Sequence, residues 1–154
     1  MTSRRQFLIL ACVAAAPARA QLPSNIAELR KRALADAMRE VVGAAPLRTG
    51  RVKLEVPPLV DNGNTVPLSV TVESPMTETD HVRAIHVFTE KNPQPKVISV
   101  QLGPRAGRAQ ISTRARIADT GSVIAVAQMS DGTFWTDRVD VVVTLSACLE
   151  EGLI

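Results

Sequence analysis

The sequence predicts an all-β protein: an immunoglobulin-like β-sandwich of about seven antiparallel strands, preceded by one N-terminal helix. Three observations carry that expectation. The apolar period is helical only near the start and changes to two from about Arg51 onward. Short β-rich runs then recur at regular intervals, separated by Gly, Asn, Asp and Pro clusters. No repeat, low-complexity tract or second domain interrupts them.

The helix is expected within Leu22–Gly43. Ile26, Leu29, Ala33, Leu34, Ala37, Met38, Val41 and Val42 recur at spacings of three and four and form one apolar stripe. Asn25 with Glu28 resembles a capping box, and Gly43 followed by Pro46 supplies the stop. Val52 to Val56 alternates, as do Val66, Leu68, Val70 and Val72. Val82 to Glu90 is β-rich, and Val97 to Leu102 follows the proline-broken loop Asn92 to Pro95. Across Arg108 to Ile117, Ala109, Ile111, Thr113, Ala115 and Ile117 share one face. Val123 to Met129 is apolar on both parities, as a central strand is. Val139, Val141, Val143 and Leu145 alternate with Arg138, Asp140, Val142 and Thr144. Asp61-Asn62-Gly63-Asn64, Gly103 to Gly107, Asp119-Thr120-Gly121 and Ser130-Asp131-Gly132 read as turns, and the Asp-Gly pair favours a tight hairpin.

The first twenty residues stand apart from this pattern. Arg4 and Arg5 lead into an apolar run from Phe7 to Ala16, and Ala18-Arg19-Ala20 offers small residues where a signal peptidase reads. Ser3 to Leu8 matches the twin-arginine export pattern, so residues 1–20 are expected to be a leader cleaved after Ala20, with 21–154 forming the mature domain. The apolar run is about half of what a membrane span requires. Cleavage removes Arg4, Arg5 and Arg19 but no acid, which brings the eighteen basic residues down to fifteen against fifteen acids. A formally neutral domain has little field to attract nucleic acid or an anionic membrane. Neither is an expected partner.

Chemistry-bearing residues are few. There is no CxxC, HExxH, GxSxG or P-loop, and the carboxylates are scattered. His81 and His86 lie at and within one strand and are read as structural. No metal or cofactor is expected. Of the two cysteines Cys12 leaves with the leader, so Cys148 is alone in an oxidising compartment. A lone exported thiol is a buried inert residue, half of an intermolecular pair, or a reactive group.

The wider sequence resembles the SoxY family. Asn62 to Leu68, Ser74 to Thr77, His81 to His86, Glu90 to Pro95, Ser112 to Ile117 and Ala125 to Trp135 carry the likeness, in the family's order and across nearly the whole mature chain. The resemblance implies a carrier and not an enzyme: a periplasmic subunit of thiosulfate oxidation that holds sulfur intermediates covalently on a C-terminal cysteine. It implies an immunoglobulin-like sandwich paired with a SoxZ-like subunit as a heterodimer. It also implies transient visits to a SoxAX-type cytochrome, a SoxB-type hydrolase and a SoxCD-type sulfur dehydrogenase. The matching cysteine is Cys148. The family commonly flanks that residue with glycine pairs, whereas here it stands in Ser146-Ala147-Cys148-Leu149-Glu150-Glu151. Leu149 adds bulk, and the two glutamates oppose ionisation of the thiol. The other reading is a non-carrier paralogue that acts as a structural or binding subunit.

Overall fold

The computed structural model describes residues 22–145, a mostly β structure with one N-terminal helix and two sheets. Helix α1 spans Leu22–Val42 and ends at Gly43, whose φ of 64° suits glycine. It starts three residues before Asn25, so Asn25 lies inside the first turn and is not the cap. Nine strands follow: β1 (Leu47–Arg48), β2 (Val52–Glu55), β3 (Leu59–Asn62), β4 (Val66–Val72), β5 (Val82–Thr89), β6 (Lys96–Gln101), β7 (Gln110–Ala115), β8 (Gly121–Met129) and β9 (Phe134–Leu145).

The large sheet has the order β1-β9-β8-β5-β6, with β3 also paired to β9. The small sheet has the order β2-β4-β7 and is antiparallel throughout. Two elements differ from expectation. The sequence pattern does not predict β1 or β3, and both pair with β9 in parallel, β1 at its start and β3 at its end. Each is too short to show a period of two, and a parallel pairing between distant segments has no turn to announce it. The all-antiparallel expectation is corrected for these two pairs.

One core joins the two sheets. Val52, Leu54, Val66, Leu68, Val70 and Val72 of the small sheet meet Ile85, Val87, Val123, Ala125, Ala127, Val141 and Val143 of the large one. Among the residues expected to face inward, Ala109, Ala115, Ile117, Val141 and Val143 are buried, and Ile111 and Val139 pack partly buried against the core. Thr113, on the same parity of β7 as Ile111 and Ala115, is exposed. A second core explains the apolar run of β8. Ile124 and Val126 leave the inter-sheet face and meet Phe88, Phe134 and Val42, with Leu34, Ala37, Met38 and Val41 of α1 covering them. Only the C-terminal half of the helix stripe is used. Ile26 and Leu29 stand 48% and 59% exposed.

The β8–β9 hairpin turns at Ser130–Thr133 as the Asp-Gly pair predicts. Gly132 has φ 81°, Met129 N–H donates to the Thr133 carbonyl at 2.9 Å, and Asp131 accepts from Thr133 N–H at 2.8 Å. This hairpin sets the register of β9, whose far end bears on function.

Candidate functional site

The candidate site is the end of β9 at Leu145, three residues before Cys148 in the sequence. β9 runs twelve residues and alternates over Val139–Thr144, with Val141 and Val143 buried. β8 begins only at Gly121, opposite Val141, so the backbone of Val143 lies beyond its reach. Thr120 fills that gap. Its hydroxyl accepts from Val143 N–H at 3.0 Å and donates to the Val143 carbonyl at 3.4 Å, so one side chain stands in for a ladder partner.

β3 holds the strand as well. Val142 N–H donates to the Pro58 carbonyl at 2.9 Å. The Thr144 hydroxyl reaches the carbonyls of Val60 and Asp61 at 3.4 and 3.1 Å. Gly63 N–H donates to the Leu145 carbonyl at 3.0 Å, and the Gly63 carbonyl accepts from Ile117 N–H at 2.8 Å. Asn62 closes the turn by accepting from Asn64 N–H at 2.9 Å. The chain is therefore pinned through Leu145, three residues before Cys148. Leu59, Val142 and Leu145, all at least half exposed, leave an apolar rim around this end.

Cys148 itself lies outside the described residues, as do Arg4, Arg5 and Ala20. Both histidines have a hydrogen-bond partner at Nδ1. His81 Nδ1 lies 3.1 Å from the Thr77 carbonyl. His86 Nδ1 meets the Ser99 hydroxyl at 3.0 Å, and burial, then the Lys96 ammonium, holds its pKa below the ordinary 6.5. No group of three or more His, Cys, Asp or Glu among the described residues is arranged to hold a metal. No helix there is long and apolar enough to cross a membrane. A shallow groove of about 690 Å³ crosses the small sheet beside Pro57, Pro67 and Leu68. Its one ionisable lining residue, Glu55, is engaged by Lys53 at 2.7 Å and Ser69 at 3.1 Å.

Sequence reasoning missed Thr120 and Asn92. Thr120 was legible only as part of a turn. Asn92 is buried and joins two loops, donating to the Arg116 carbonyl and accepting from Ala118 N–H, both at 2.8 Å. An asparagine between a lysine and a proline gives no sign that it replaces backbone partners.

Comparison first places the fold. Superoxide reductase (neelaredoxin) from Ignicoccus hospitalis is 16% identical over 63% of this chain and 94% of its own, with TM-score 0.56. Superoxide reductase from Nanoarchaeum equitans is 11% identical over 62% of this chain and 100% of its own, with TM-score 0.52. At these identities the likeness is one of fold alone. The sulfur carrier protein SoxY from Chlorobium limicola f thiosulfatophilum is nearer, 28% identical over 75% of this chain and 99% of its own, with TM-score 0.62. No curated protein sequence matches the chain.

The family model of the sulfur oxidation protein SoxY matches residues 38–148, nearly three quarters of the sequence. The chain belongs to the SoxY family. Membership makes it a carrier-type protein of sulfur oxidation and not an enzyme.

Proposed function

We propose that this chain is a periplasmic sulfur-carrier subunit of thiosulfate oxidation, holding sulfur intermediates covalently on Cys148 within a heterodimer with a SoxZ-like subunit. The observation that carries the reading is that the SoxY match runs through residue 148, while β9 is pinned through Leu145. Three residues of extended chain span at most about 10 Å. A thiol on so short a tether, rooted in a fixed strand, has a defined range and is brought to a partner's site by docking the whole domain. We read the two facing sheets as an immunoglobulin-like scaffold whose last strand serves as that root.

A thiolate is the competent form of this residue, both as nucleophile and as leaving group. Joining it to the outer sulfur of thiosulfate forms an S–S bond and releases two electrons, which a SoxAX-type cytochrome would accept. A SoxB-type hydrolase would then use water to release sulfate and leave a persulfide on the cysteine, the substrate for a SoxCD-type dehydrogenase. A covalent bond keeps small sulfur anions from diffusing away between these steps. Residues 1–20 fit the role as a twin-arginine leader cleaved after Ala20. Replacing Arg4 and Arg5 with lysine should trap precursor in the cytoplasm, and undisturbed export would refute that route.

The Leu149-Glu150-Glu151 stretch supports a second reading, a paralogue that keeps the scaffold but moves no sulfur. Loading kinetics separate the two. Cys148→Ser should abolish thiosulfate-dependent sulfur loading of the heterodimer. Glycine at 149–151 should speed it, since removing the glutamates favours the thiolate. A wild-type heterodimer that takes up no sulfur supports the structural subunit.

A further inference from the structure

The opposite end of β9 carries a separate cluster. β1 pairs Arg48 in register with Trp135, and the guanidinium lies 5.9 Å from the indole centroid. Gly50, at φ 116°, turns the chain so that Arg51 also reaches the ring, at 5.1 Å. Glu73 N–H donates to the Arg51 carbonyl at 2.8 Å and fixes the backbone there. The ring is held by its edge, Trp135 Nε1–H donating to the Thr133 hydroxyl at 3.2 Å. Two like charges on one ring repel each other, yet among the described residues neither arginine forms an ion pair. Asp131 accepts from the Thr133 hydroxyl and N–H at 2.7 and 2.8 Å on one carboxylate oxygen; these bonds first, and the through-space charges of Arg48 and Arg51 after them, hold its carboxyl below the usual range without a direct bridge.

We propose that Arg48, Arg51 and Trp135 form a docking site for a carboxylate-bearing surface of a partner protein. Guanidinium groups lying against an aromatic ring keep their planar N–H forks for bidentate carboxylates. Trp and Arg together are the residue types that anchor protein interfaces. Leu47, 39% exposed, adds apolar contact that a free ion would not use. Arg48 is exposed while Arg51 and Trp135 are half-buried, so a lone small anion meeting the exposed guanidinium gains little against its hydration. Ten residues of strand separate Trp135 from Leu145, about 33 Å. A protein held at this pole leaves the cysteine end free, so holding and delivery are spatially separate.

Trp135 is the chain's one tryptophan, and there is no tyrosine, so its emission reports on this site alone. The mature protein is titrated with poly-L-glutamate and, at matched ionic strength, with sodium sulfate. A saturable emission change with poly-L-glutamate is expected, with binding weakened about tenfold or more in the Arg48→Gln, Arg51→Gln double variant. Among the described residues neither arginine side chain donates a hydrogen bond that holds the fold together, and an unchanged melting midpoint verifies that the variant is folded. No saturable change, or an equal response in the double variant, would overturn the proposal. Sulfate reproducing the change would overturn it in favour of a small-oxoanion site.

Discussion

Thr89 is a residue whose native chemistry works against the fold. It is 1% exposed, and its hydroxyl has no hydrogen-bond partner among the described residues, although its N–H donates to the Pro95 carbonyl. Burying an unpaired hydroxyl costs free energy that a methyl group does not. Thr89→Val keeps the shape and the β-branch, so it should raise stability by about 1 kcal/mol, read as a higher denaturant midpoint at unchanged slope. His86 works against the fold only in acid. Partial burial and then Lys96 lower its folded pKa, so the unfolded chain takes up the proton first. Stability is therefore intact above about pH 6.5 and is lost as pH falls from there through the folded pKa. Lys96 also bridges to Glu40 of α1 at 3.3 Å, which places this titration where the helix meets the sheet. His86→Gln should flatten the fall in melting temperature between pH 7 and pH 5.5; an equal fall in both proteins would contradict this.

At the scale of elements, β9 does the most. It accepts β1 and β3 in parallel, β8 antiparallel, and the Thr120 hydroxyl where β8 runs out. Thr120→Val should therefore loosen one place. Hydrogen exchange at the Val143 amide should accelerate markedly, while global stability moves by about 1 kcal/mol or less, since water reaches the freed N–H. Unchanged protection at Val143 would show that Thr120 is not the partner the geometry makes it. The strands that were legible are those whose side chains alternate between core and solvent, such as β4, or whose turn carries an Asp-Gly pair, as at β8–β9. β1 and β3 were not legible, because two or four residues hold no period and their pairing depends on a strand about 80 residues away. The helix was legible in extent but not in use. The stripe from Ile26 to Val42 is continuous in sequence, yet only the part over Phe88 and Ile124 finds a surface to cover. The end of β9 was legible as the end of an alternating run at Leu145, whereas the Thr120 and Gly63 contacts that pin it depend on three-dimensional proximity.

The two ends of β9 differ in what surrounds them. At one, β3, Thr120 and Gly63 fix the point where the chain departs toward Cys148. At the other, Arg48, Arg51 and Trp135 form a basic and aromatic patch. With the proposed leader cleaved, the balanced charge of residues 21–154 adds little long-range attraction or repulsion, so recognition falls to local features of this kind. The SoxY family match covers the span between them and ends on the cysteine. The central claim is that this cysteine carries sulfur. Its most direct test is the intact mass of the mature protein purified without reductant from thiosulfate-grown cells, with the modified residue located by peptide mapping. Sulfur or sulfonate additions on Cys148 that reductant removes are predicted. A single mass equal to the bare mature chain, with Cys148 resisting alkylation in the native heterodimer, would contradict the claim.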